Sequence, residues 1–134
     1  RIKTRKRIIK QTIMKKNYLI DIDGTICEDI PNEEWQRFSS AKRFDDALKI
    51  INKWYKEGNT ITFFTAREEK HRPITEMWLH TNEFKFHGLI MNKPRGGNYH
   101  WIDNLKVQAT QYLGKFTELI KENKTIEIFK NETL

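Results

Sequence analysis

Apolar positions along the chain recur with two different periods. Tyr18-Leu19-Ile20, within residues 17–22, form a short apolar run that reads as a buried strand. From Phe44 to Glu57 the spacing changes to threes and fours. Ala47, Leu48, Ile51, Trp54 and Tyr55 fall on one helical face, and Gly58-Asn59 closes the segment. Residues 60–65, TITFFT, are β-branched and aromatic and predict a second strand. Pro73 suits the first turn of a helix running to about Asn82, with Ile74, Met77 and Trp78 as its core stripe. Residues 87–91 (HGLIM) predict a third strand. Arg95 to Asn98 form a turn, and residues 99–103 (YHWID) predict a fourth strand. Helical material is expected from Leu105 to Glu122 and an edge strand over 125–129. Residues 26–42 are mixed and turn-rich.

Strands alternating with helices predict an α/β fold, a Rossmann-like three-layer sandwich with a mostly parallel sheet. Such sheets bind ligands at the carboxyl ends of their strands. Asp21, Thr65, Lys93 and Asp103 each fall at or just beyond the end of a separate predicted strand. Each alone has a plain structural reading: Thr65 as a strand terminus, Lys93 as a surface lysine, Asp103-Asn104 as a turn or cap. Their joint placement points to one site.

Composition narrows this picture. The chain has 134 residues, enough for one domain with a core. Its net charge of +7 suggests a polyanion partner until it is located. Six of the 25 Lys and Arg residues lie in residues 1–13, which carry no acid, so the other 19 face all 18 acidic residues. The body is nearly neutral. Residues 1–13 read as a basic extension outside a domain spanning 14–134, with Met14 as an alternative start. A basic arm for nucleic acid is the other reading of that segment. One cysteine, Cys27, excludes an intrachain disulfide and a multi-cysteine zinc site. A reducing cytoplasm fits. No apolar run approaches the roughly 20 residues that span a membrane.

The densest chemistry is Asp21-Ile22-Asp23-Gly24-Thr25, where the first strand gives way to a turn. Positions i and i+2 of a strand share a face, so both acids can address one pocket. Gly24 lets the backbone turn tightly. The pair suits a metal, a phosphoryl group, or a nucleophile beside a general acid. An Asx-type turn would also explain the string.

YLIDIDGTI (18–26), TFFTAR (62–67), Asn92-Lys93-Pro94 and WIDN (101–104), in this order, resemble the haloacid dehalogenase superfamily of phosphohydrolases. The resemblance covers residues 17 to about 113. It implies a magnesium-dependent phosphatase in which Asp21 is the nucleophile, Asp23 the general acid and base, and Lys93 the cation that offsets charge and holds Asp21. It implies Gly24, Thr25, Thr65 and Ala66 as phosphate binders. The Mg²⁺ ligands would be Asp21, the Asp23 backbone carbonyl and Asp103. Many relatives carry a second acid where this chain has Asn104, which would lower metal affinity.

The intervals from Thr25 to Phe44 and from Thr65 to Lys93 have no room for a folded cap, so an open site is expected. FTAREEKHRPITEMWL followed by KPRGGNYHWIDN is similar to small capless phosphatases of capsule and lipopolysaccharide biosynthesis, which implies a sugar phosphate substrate. Arg67, Arg72 and Asn104 would then either touch substrate or support the residues that do. Two alternatives stand beside this reading. One is a polynucleotide 3′-phosphatase, with Arg67, Lys70, His71, Arg72 and Arg95 along a nucleic-acid backbone. The other is a non-catalytic phosphate- or nucleic-acid-binding module. Trp35, Phe38 and Trp101 are open to a role in a subunit contact, a lid or the core, and a homo-oligomer is left open with them.

Overall fold

In the computed structural model, the described residues are 15–116 together with the backbone of 125–127. The expected basic extension 1–13, most of the last predicted helix and the end of the last predicted strand lie outside them. The elements are β1 (Asn17–Ile20), α1 (Asp45–Lys56), β2 (Thr60–Phe64), α2 (Arg72–Thr81), β3 (Gly88–Ile90), β4 (Gln108–Thr110) and β5 (Thr125–Glu127). Two 3₁₀ segments, Asn32–Ser40 and Glu69–His71, precede α1 and α2.

β2 is the middle strand of a three-stranded sheet and runs parallel to β1 and β3. Ile61 and Phe63 are fully buried, while Thr62 and Phe64 on the other face are partly covered. That is the period of two expected of a strand with one deeply buried face. Phe63 meets Phe84 and Phe86 edge-on, with centroids 5.8 and 5.6 Å away. The α/β class is as expected, in a sheet smaller than the sequence suggested.

Helix α1 buries Ala47 and Ile51, and places Trp54 flat against Tyr18 of β1 at 4.1 Å. Asp45 and Asp46 in its first turn and Lys53 and Lys56 in its last complement the helix dipole. Its end is a Schellman turn. Gly58, at φ +96°, donates to Tyr55 O and Asn59 N–H donates to Trp54 O. The Asn59 side chain then accepts from Lys16 N–H, which joins the helix end to the start of β1.

Helix α2 begins at Arg72 with Pro73 in its first turn, where the missing N–H costs nothing. Its buried residues are Thr75, Trp78 and Leu79. Met77, expected in the core stripe, is 68% exposed. The buried stripe is the expected one advanced by one residue, about 100° of helical rotation, which brings Thr75 and Leu79 inward and leaves Met77 outside. Trp78 is anchored by its indole N–H to Ala41 O at 2.9 Å and stacks on Phe84.

Three expectations are corrected. Residues 99–103 form no strand, and Tyr99, Trp101 and Ile102 are exposed. β-Propensity records fit to a pleated, half-buried surface, and this segment has no such surface to lie on. Residues 105–116 are not helical either. Gln108–Thr110 pair antiparallel with Thr125–Glu127, and Gly114 sits at φ +108°, outside helical geometry. The expected last strand exists over 125–127, but in this separate two-stranded sheet rather than at the edge of the main one.

Candidate active site

β1 ends at Ile20, and the chain turns within four residues. Thr25 and Ile26 N–H both donate to Ile22 O, and Gly24 N–H donates to Cys27 O. Gly24 has φ +80°, a conformation that residues with a side chain rarely adopt, and an added Cβ would meet Asp29 only in ordinary contact, at 3.5 Å. This turn leaves Asp21 partly exposed in an open cleft of about 340 Å³. Asp21, Asp23 and Asp29 line it, together with residues 30–32, Ala66, Arg67, Lys93, Arg95, Gly96 and Tyr99.

The loops after β2 and β3 reach the cleft because the parallel pairing continues past the strand ends. Thr65 N–H donates to Ile90 O, Lys93 N–H to Thr65 O, and Asn92 N–H to Arg67 O. Asn92 takes φ +60°, which asparagine tolerates better than most residues. The result sets Lys93 Nζ 3.8 Å from Asp21 Oδ1, over the Tyr99 ring at 4.9 Å. Thr25 Oγ1 donates to Asp21 Oδ2 at 3.1 Å. Burial pushes the Asp21 pKa up; Lys93, the Thr25 hydroxyl and the Ile22 N–H oppose that shift.

Asp23 sits differently. Arg67 is completely buried and grips it with two bonds, Nε to Oδ2 at 2.9 Å and Nη2 to Oδ1 at 2.8 Å. The third arm of the guanidinium donates to Thr75 Oγ1 at 3.1 Å, and its face lies 3.7 Å from the Phe38 ring centroid. This pair brings together the turn after β1, the loop after β2, the first 3₁₀ segment and α2. Of the two roles expected for Arg67, substrate contact or support of the site, its burial against Asp23 is the supporting one.

Several other expected site residues are placed away from it. Thr65 is buried, with its hydroxyl accepting from Arg67 N–H, and the cleft is lined instead by Ala66. The Gly24 and Thr25 amides are used inside the turn, so they are not free for phosphate. The Ala66 N–H makes no hydrogen bond among the described residues. Arg72 pairs with Glu69 and Glu76 and donates to Leu89 O. Asp103 and Asn104 are exposed and do not line the cleft. The Asp103 carboxylate accepts from Leu105 N–H and the Trp101 indole, bonds that hold its pKa below the ordinary value. This is the turn role that residue type alone allows.

The expected magnesium ligands are thus not assembled as a set. Asp21 and Asp23 line the cleft, but Asp103, the expected third ligand, is exposed and lies elsewhere. No group of three His, Cys, Asp or Glu side chains placed to hold a metal occurs among the described residues. Cys27 is fully buried, and its thiol is pushed up to about 12, first by burial and then by Asp23, so it carries no nucleophile. The sequence reading missed Asp29, Pro31, Asn32 and Tyr99 as cleft residues. Only their position just after the Asp21–Thr25 turn, or just after Lys93, signals them.

No protein-family model matches the chain, and no curated protein matches it. Two solved structures are similar in fold. One is a target protein from Vibrio cholerae, 20% identical, with a TM-score of 0.51 over 67% of this chain and 80% of that one. The other is a chain of the Pnkp1/Rnl/Hen1 complex, 21% identical, with a TM-score of 0.53 over 69% of this chain. Our chain spans only 32% of the length of that second protein. At such identities the likeness is one of fold, and it places the parallel α/β unit of this chain beside theirs.

Proposed function

We propose that the chain is a haloacid dehalogenase-type phosphomonoester hydrolase without a cap, acting in the cytoplasm through an aspartyl-phosphate at Asp21. The observation that carries the reading is Asp21 itself: a carboxylate in an open cleft, oriented by Thr25 and faced by Lys93 at 3.8 Å. An Asp21 oxygen attacks phosphorus, and the bond from phosphorus to the leaving oxygen breaks. The leaving oxygen takes a proton from the Asp23 carboxyl. Water then attacks the phosphorus of the acyl phosphate, Asp23 takes its proton, and inorganic phosphate departs. Lys93 offsets charge as the anions approach. Arg67 holds both Asp23 oxygens, so proton transfer uses the lone pairs it leaves free. Ala66 N–H, which makes no hydrogen bond among the described residues, is one donor at the cleft for a phosphoryl oxygen.

Magnesium belongs to the proposal as the resemblance implies it; Asp21 and the Asp23 carbonyl would hold it, and it would neutralise phosphoryl charge. The substrate we favour is a sugar phosphate. The polynucleotide alternative gains from the likeness to a chain of the Pnkp1/Rnl/Hen1 complex, but four of its five proposed backbone contacts are spoken for. Arg67 is buried on Asp23, Lys70 pairs with Glu68, Arg72 with Glu69 and Glu76, and His71 is buried.

The test is hydrolysis of p-nitrophenyl phosphate with Mg²⁺ and with EDTA, followed by acid quench of a labelled substrate. Magnesium-dependent turnover, an acid-stable phosphoryl adduct on the chain, and its loss in Asp21→Asn with roughly a thousandfold or greater fall in kcat are expected. Because burial raises Asp21, the acid limb of kcat/KM should lie above the ordinary aspartate value. Full activity in Asp21→Asn would sink the mechanism.

A further inference from the structure

A second groove, of about 530 Å³, is lined by Lys49, Asn52, Lys53, Tyr55, Lys56 and Lys85. It shares no residue with the cleft, and the two belong to opposite ends of the sheet. Asp21, Ala66 and Lys93 follow the ends of β1, β2 and β3, whereas Lys56 comes just before β2 begins and Lys85 just before β3 begins. The strands are parallel, so their starts lie together, one strand length from their ends. For the five residues of β2 that length is about 16 Å. Asn52 ties α1 to the loop after α2: its Nδ2 donates to Glu83 O and its Oδ1 accepts from Lys85 N–H, both at 2.9 Å. Glu83 takes φ +68° there, in the position that glycine usually fills at a helix end; its N–H donates to His80 O and the Phe84 N–H to Leu79 O. Tyr55 is half-buried, with its ring stacked on His87 at 4.6 Å.

Four of the six lining residues are lysines and none is an acid. In the cleft, by contrast, Arg67 and Lys93 are matched by Asp23 and Asp21. All four groove lysines are exposed, and their ammonium groups make no ion pair or hydrogen bond among the described residues. Lys49, Lys53 and Lys56 stand at i, i+4 and i+7, a row of about 10 Å on one helix face. Like charges at this spacing repel and weaken a helix. The helix dipole accounts for Lys53 and Lys56 in the last turn, but not for Lys49 or for Lys85 on the loop. The exposed Lys15 side chain crosses Gly58, just past the helix, and adds a fifth cation at that end. We infer that this groove binds the phosphodiester backbone of a single-stranded nucleic acid, at a surface separate from the catalytic cleft. The lysines meet successive phosphates, and Tyr55 offers ring surface to a base. An anionic membrane would also attract such charge, but helices that lie on membranes enter them with apolar side chains. Here the lysines surround a groove, and no large hydrophobic residue of α1 or of residues 82–87 is among the exposed ones.

The test is fluorescence anisotropy of short labelled oligo(dT) and oligo(U) titrated with the full chain at rising NaCl. The variant carrying Lys49→Ala, Lys53→Ala, Lys56→Ala and Lys85→Ala together should bind at least about tenfold more weakly at low salt. Its slope of log Kd against log salt should fall by about 3, four phosphates at about 0.7 each. Its midpoint in urea should not fall, which separates lost binding from lost folding. Arginine at the same four positions should keep the slope. Residues 1–13 carry six basic residues that could bind the same probe, so a chain with those six replaced by glutamine is titrated alongside; it should keep the share of the slope that depends on the four lysines. Absence of oligonucleotide binding overturns the inference, as does binding that survives the four alanines and disappears with the six glutamines. Binding of phosphatidylserine vesicles that needs the four lysines, with none of either oligonucleotide, gives the groove to a membrane and overturns it too. Turnover enters none of these measurements, so failure of the phosphatase reading leaves the groove standing.

Discussion

Asp21 is held in a position that costs stability. Burial is the largest influence on its carboxyl and raises its pKa; Lys93, Thr25 and the Ile22 N–H recover only part of that cost. A carboxyl whose folded pKa is raised stabilises the protein most when protonated, below the unfolded value. That contribution is lost as the pH rises through the folded pKa. At pH 7 the ionised Asp21 is therefore a net burden, as expected of a group kept for chemistry. Asp21→Asn should melt at a higher temperature than wild type at pH 7, and the gap should close as the pH falls below the carboxylate range. A variant that melts lower at pH 7 would mean that the pairing with Lys93 outweighs burial.

Four segments meet at one guanidinium. Arg67 leaves β2, ties the turn after β1 through Asp23, reaches α2 through Thr75, and lies against Phe38 of the first 3₁₀ segment. Removing one partner of a buried ion pair strands the other, at a cost of about 3–5 kcal/mol. Arg67→Ala should lower stability by about that much in urea denaturation. Arg67→Lys should recover little, because an ammonium cannot make the two-bonded grip on Asp23. A loss below about 1 kcal/mol would show the pair to be incidental. At this scale much was legible from the residues. β1, β2, β3, α1 and α2 lie where their periods place them, within a few positions at each end. Arg67 stands out from Thr65-Ala66-Arg67, with substrate contact and support of the site both open to it. Nothing in the spacing says that its charge would be met from inside by Asp23, 44 positions earlier.

Phe116 extends the core beyond the last confident sequence signal. It is buried against Trp54, with centroids 6.1 Å apart, and against Tyr112 at 5.3 Å. Its N–H donates to Asp46 Oδ2 at 2.9 Å, at the start of α1. With Tyr18 stacked on the same Trp54, residues 112–116 close one side of the molecule over α1. Phe116→Ala should cost about 3–5 kcal/mol, read from the shift of the denaturation midpoint at constant slope. A shift worth less than about 1 kcal/mol would place the segment outside the cooperative unit. Among the described residues no helix is long and apolar enough to cross a membrane.

By itself the sequence determined whatever depends on neighbours a few positions apart. The strand and helix periods, the Gly24 turn, and the location of Asp21 at a strand end all follow from local sterics and from which faces are apolar. The tertiary structure decided whatever depends on a partner far along the chain. It set Lys93 opposite Asp21 and gave Asp23 to Arg67. It left Arg95 and Tyr99 open to the cleft and turned Asp103 away to cap its own turn. A charged or aromatic side chain has the same propensity in each of these roles. Only the contact that meets it in the folded protein distinguishes them.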